Sequence, residues 1–155
     1  MDLRLLRRII KALLVNLKIE RAELGIYFVT ALEMARLNET FLKHQGSTDV
    51  LAFDYADHAA ALVKARTGAS KTRQNRALTS AATKLHGEIF VCVDEAISEA
   101  RRFRSNWKSE LVRYIIHGVL HLCGFDDKHP VSRRKMKRAE NRLLRQIAKQ
   151  FALDK

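Results

Sequence analysis

A chain of 155 residues that is 47% hydrophobic holds enough apolar material for a single domain with a real core, which excludes a disordered chain. Its 29 lysines and arginines against 17 acids leave a net charge of +12, a surplus that favours polyanionic partners, namely RNA, DNA or an anionic membrane surface, over basic or neutral ones. Only two cysteines occur, Cys92 and Cys123, each inside an apolar run and far apart, which excludes a disulfide framework and a Cys-Cys zinc pair.

Residues 2–17 place Leu3, Leu6, Ile10, Leu13 and Leu17 at helical spacing, with Arg4, Arg7, Arg8 and Lys11 between them, and so predict an amphipathic helix. The charges interrupt the apolar core that a signal peptide needs, and no apolar run reaches the length of a bilayer span. A cytoplasmic location and no membrane partner are therefore expected.

Leu24–Thr30 is rich in β-branched and aromatic residues and predicts a strand, followed by a helix from about Ala31 to Lys43. Val50–Phe53 predicts a second short strand. Between about 56 and 84 the chain changes character, with small residues among Lys64, Arg66, Lys71, Arg73, Arg76 and Lys84. This stretch reads as a basic loop insertion with a helical piece near Ala59–Arg66. Gly87–Val93 predicts the third strand. Asp94 is the expected cap of a helix running to about Arg104, and Ser105 or Asn106 that of the next. The single proline, Pro130, opens a final helix whose apolar stripe is Met136, Leu143, Leu144, Ile147 and Phe151.

The helix after Asn106 carries His117 and His121. Two imidazoles at i and i+4 lie on one helix face and can reach one ion. Gly124 can end the helix in the left-handed conformation, after which Asp127 or His129 can return as third ligand. Asp126 could orient a ligating ring or cap that turn. Neutral imidazoles with one carboxylate suit zinc, and three protein ligands leave a position open for chemistry. Zinc peptidases of the His-Glu-x-x-His type place their general base directly after the first histidine, where this chain has Gly118. The spacing of a metal site is kept without the peptidase's base.

The segment His117-Gly118-Val119-Leu120-His121-Leu122-Cys123-Gly124-Phe125-Asp126 resembles the signature of the YbeY endoribonucleases, His-Gly-x-Leu-His-Leu-x-Gly-Tyr/Phe-Asp-His. Supporting blocks are Leu37-Asn38, Thr48-Asp49-Val50-Leu51-Ala52-Phe53 and Gly87-Glu88-Ile89, so that about two thirds of the chain is covered in order. Against the family pattern, the third metal-binding histidine falls on Asp127. The usual arginine falls on Leu42, with Lys43 beside it, and the basic insertion is longer than the family's. The resemblance implies one α+β domain over 1–155, a small mixed sheet packed with several helices, and the metal in a cleft. It also implies a zinc-dependent, single-strand-preferring endoribonuclease acting in ribosomal RNA processing. His117, His121 and Asp127 would hold one zinc ion, while Lys43 and Arg113, together with the basic insertion, would contact ribosomal RNA or ribosomal subunits. Glu88 or Asp126 would orient water or a metal ligand. Two rivals predict different behaviour: a ribosome-associated RNA-binding factor with a structural metal, and a metal hydrolase acting on a non-RNA substrate.

Overall fold

The computed structural model describes residues 1–55 and 84–153. The expected basic insertion, with Lys64, Arg66, Lys71, Arg73, Arg76 and the helical piece near 59–66, lies outside the described residues. In chain order the elements are α1 (Leu3–Asn16), β1 (Arg21–Val29), α2 (Ala31–Leu42), β2 (Val50–Asp54), β3 (Lys84–Cys92), α3 (Val93–Phe103), α4 (Trp107–Leu122) and α5 (Pro130–Phe151).

The strands form one mixed sheet in the order β1-β3-β2. β3 runs parallel to β1, with Ile26 opposite Ile89, and antiparallel to β2, with Ala52 opposite Ile89. Alternation along β3 divides the two faces. Leu85, Ile89 and Val91 enter the main core with α1, α4 and α5, whereas Phe90 turns to α2, beside a smaller cluster of Met34, Leu51 and Cys92. The fold is therefore α+β, a small mixed sheet with helices on both faces.

The best-buried helix is α4, where Leu111, Val112, Ile115, Ile116, Val119, Leu120 and Leu122 are all buried. Each such side chain contributes about 1.5–3 kcal/mol on burial, which makes α4 a rigid platform for whatever its polar residues do. Gly118 lies where α4 meets the sheet. A Cβ there would stand 2.6 Å from Cγ2 of Ile89 and 3.1 Å from Cγ2 of Val50. The glycine after His117 is thus a packing requirement, and a base-bearing side chain at that position would run into the sheet. We expect Gly118→Ala to destabilise the chain by about 1–3 kcal/mol through overpacking, measured by urea unfolding.

Several local expectations are corrected. In α1 Leu3 is 68% exposed, and Ile9 rather than Ile10 is fully buried. Asp94 does not cap α3: Cys92 holds the cap position, and the Asp94 carboxylate accepts 2.7 Å from the amide of Ala31 instead. Of the two expected caps of α4, Asn106 is the one in place, its side chain accepting from the amide of Lys108 at 2.9 Å, so that this expectation holds. Among the described residues no helix is long and apolar enough to cross a membrane.

Candidate metal centre

α4 ends one residue after His121, in a way that its sequence dictates. Gly124 has φ +86°, its amide bonds the carbonyl of His121 at 2.9 Å, and the amide of Phe125 reaches back to Leu120 at 3.0 Å. This is the paired closure of a Schellman motif, which needs a residue at positive φ and reverses the chain onto the helix end. The reversal delivers two groups to the histidine face. The carbonyl of Phe125 accepts from Nδ1 of His121 at 3.1 Å, and Oδ2 of Asp127 comes within 3.8 Å of Nε2 of His117.

His117 is fixed from the other side by α5. Its Nδ1 lies 3.0 Å from Oε2 of Glu140, which is 2% exposed and whose Oε1 accepts from Lys137 at 2.7 Å and Arg113 at 2.9 Å. Burial alone would raise the Glu140 carboxyl. Its hydrogen bonds to His117, Lys137 and Arg113 overcome that and hold it down at about 2. The ionised carboxylate and the Phe125 carbonyl can only accept, so both Nδ1 atoms must be donors. In the neutral rings this leaves lone pairs on both Nε2 atoms, which face each other 3.1 Å apart. Two lone pairs so close repel unless a proton or a cation lies between them.

The ionisation of the pair follows the same logic. Burial pulls the pKa of His117 down, but Glu140, Asp49 and Asp127 outweigh it and hold it above the ordinary histidine value. Burial and then the neighbouring His117 push that of His121 below it. The donor atoms of His117, His121 and Asp127 all lie within 4.8 Å of one another, the one such convergence among the described residues. Two neutral-capable imidazoles and a carboxylate, with both rings held in the ligating tautomer, form a donor set that fits a divalent ion.

A cleft of about 830 Å³ opens beside the cluster, with His117, Asp127, Arg113, Arg133 and Lys137 in its wall together with Asp49, Glu95, Glu99 and Glu110. Arg113 is brought to the cleft. Its Nε is paired with Glu110 at 3.1 Å, and its Nη1 with Glu140 and Asn141. Lys43 is not: it ends α2 with a left-handed φ of +56° and is exposed outside the cleft wall. His129 is exposed at the N-cap of α5, outside the cluster. The Asp126 side chain accepts from the amide of Lys128 at 3.1 Å and so caps the turn. Glu88 takes no part in the cluster; on the sheet face opposite Ile89 it accepts from the hydroxyls of Tyr27 at 3.0 Å and Tyr55 at 2.6 Å.

A profile of the family described as "Endoribonuclease YbeY" matches residues 2–148. The chain belongs to the YbeY family. Proteins named Endoribonuclease YbeY from Phocaeicola vulgatus and Parabacteroides distasonis are each 30% identical to this member, over 126 and 122 residues. The first alignment covers 81% of this chain and 74% of the relative, the second 79% and 69%. A solution structure of a Thermotoga maritima protein, 21% identical, aligns with a TM-score of 0.61 over 96% of this chain and 85% of its own. At that identity the likeness speaks for the shared fold. Within the YbeY frame, Glu140 is the group that the histidine spacing alone does not reveal.

Proposed function

We propose that this chain is a zinc-dependent endoribonuclease that prefers single strands and acts in ribosomal RNA processing, with His117, His121 and Asp127 holding one ion. The observation that carries the reading is the facing Nε2 pair, each ring fixed through Nδ1 by an acceptor. When bound, zinc supplies Lewis acidity that polarises a phosphodiester oxygen and acidifies water. The chain's own residues do the rest. Glu140 and the Phe125 carbonyl hold the Nδ1 protons and aim the rings, Arg133 adds positive charge, unpaired among the described residues, to the cleft wall, and Arg113 and Lys137 stand there as cations already paired with Glu140. Phe103, 64% exposed at the cleft wall, offers an aromatic face on which an unpaired base can stack. Lys43 would meet the RNA backbone outside the cleft, as a point charge rather than the bidentate grip of the family arginine.

The cleft wall also carries six carboxylates, which repel a phosphodiester. A cation at the cluster offsets that field, and RNA placement there should depend on it. The test is cleavage of a single-stranded RNA by wild type and Asp127→Ala, with and without chelator. Expected is wild-type cleavage that chelator stops and zinc restores, and loss of cleavage in the variant. Tight RNA binding without metal-dependent cleavage would instead make the chain a binding factor, and cleavage of peptides or small esters in place of RNA a different hydrolase.

A further inference from the structure

The charge of +12 is unevenly placed. Together α1 and α5 contain twelve lysines and arginines and a single acid, Glu140, so two helices packed on each other carry a net charge of +11. On α5 the residues Arg134, Arg138, Arg142, Arg145 and Lys149 succeed one another at steps of three or four, which aligns them as a ladder along one side. All five are exposed, whereas Met136, Leu143 and Ile147 are buried beneath the helix. None of the five forms an ion pair among the described residues.

Folding alone gives no reason for such a ladder. Like charges at i and i+4 repel, and a helix face that needs only solvation is better served by mixed signs. The one acid of α5 is buried and committed to His117, Arg113 and Lys137. The ladder also runs outward from the candidate metal centre, because Arg133 and Lys137 of the same helix stand in the cleft wall. Beside it on α1, Arg4, Arg7, Arg8 and Lys11 are exposed, and Arg8 and Lys11 share a shallow groove with Gln150 and Phe151 of α5.

We propose that this face of α5, flanked by α1, is a track for the sugar-phosphate backbone of an RNA whose reacting portion lies in the cleft. The choice of RNA rests on the endoribonuclease reading; the charge pattern itself calls for a regular polyanion. From Arg134 to Lys149 the ladder spans about 22 Å at 1.5 Å per residue. Over that distance a helically stacked nucleic-acid strand presents about six phosphates at about 3.4 Å of rise each and an extended one about half as many, so that the five cations match the number of charges in reach. A bilayer surface fits less well, since membrane-lying helices set apolar side chains beneath their cations, and the exposed ladder face has none between Arg134 and Lys149.

The test combines Arg134→Gln, Arg138→Gln and Arg142→Gln in the full chain. Binding of a fluorescent single-stranded RNA long enough to span the ladder is measured in chelator across a salt series. The slope of log affinity against log salt should fall by about two, at about 0.7 for each phosphate that is no longer neutralised, with affinity at physiological salt down about tenfold. Changing the same three residues to lysine should keep the slope, which separates the removal of charge from altered folding. With zinc restored, cleavage of an RNA too short to leave the cleft should be unchanged, while KM for the long RNA rises. An unchanged slope and affinity in the glutamine variant would overturn the track, as would intact RNA binding together with abolished binding to phosphatidylserine vesicles. If wild type cleaves no RNA, the endoribonuclease reading fails while the salt series still decides the track.

Discussion

Replacing Glu140 with alanine should destabilise the chain by about 3 kcal/mol and weaken zinc binding about 10- to 100-fold. The stability loss comes from charge left behind: the 2%-exposed carboxylate neutralises Arg113 and Lys137 and engages His117 at once. The figure sits at the low end for a broken buried pair because Arg113 keeps Glu110 and Asn141, and Lys137 reaches solvent. Against a total of about 5–15 kcal/mol for a typical domain, that is a large fraction. Glu140→Gln separates the two effects. Its amide oxygen turns to the two cations and its NH₂ to Nδ1 of His117, so the ring must take the other tautomer, with a proton on Nε2 facing His121. Urea unfolding should then show a smaller loss than in the alanine variant, with zinc affinity by calorimetry at least as low. Unchanged zinc affinity in Glu140→Gln would mean that the Glu140 carboxylate does not set the ring.

How much of the fold and the site is legible in the sequence depends on whether the cause is local. His117, His121 and Gly124 are readable because helical spacing and a glycine stop are properties of a few consecutive residues, and the Schellman closure over Leu120–Phe125 follows from them. The start of β3 at Lys84, three residues before the expected Gly87, is not, because it depends on pairing with Arg21–Leu24 of β1 across a long sequence gap. Asp94 looks like a cap, but its partner is Ala31 on another element. Gly118 is legible as the absence of a base, whereas its contact with Ile89 requires the sheet to be in place.

Glu140 is the instructive miss. It is the only acid in a 22-residue helix with eight lysines and arginines, and it falls in the apolar register between Met136 and Leu143-Leu144. A lone carboxylate on a core-facing stripe has to meet a buried partner, and that is a signal a sequence does carry. What it could not supply is the partner: Arg113 and His117 reach Glu140 only because α4 and α5 pack side by side.

His121→Ala should abolish stoichiometric zinc while changing the metal-free stability only slightly. In the absence of metal the side chain contributes one hydrogen bond, to the Phe125 carbonyl, and a contact with an imidazole whose Nε2 faces its own. Losing that bond costs about 0.5–1.5 kcal/mol, and the loss of the Nε2 contact offsets part of this where both rings are neutral and adds to it where His117 is protonated. In the presence of zinc the difference widens. An ion held at about 100 times its Kd stabilises the native chain by about 2.7 kcal/mol, a gain that a variant lacking one of the three proposed ligands forfeits. Thermal unfolding with and without zinc should therefore show a raised Tm in wild type and none in His121→Ala, a readout independent of catalysis. Asp127→Ala should behave like His121→Ala, and His129→Ala like wild type, because His129 is exposed at the start of α5 and outside the donor cluster. If His129→Ala loses the zinc-induced shift and Asp127→Ala keeps it, the third ligand has been misassigned, and the turn after Gly124 must deliver the imidazole instead of the carboxylate.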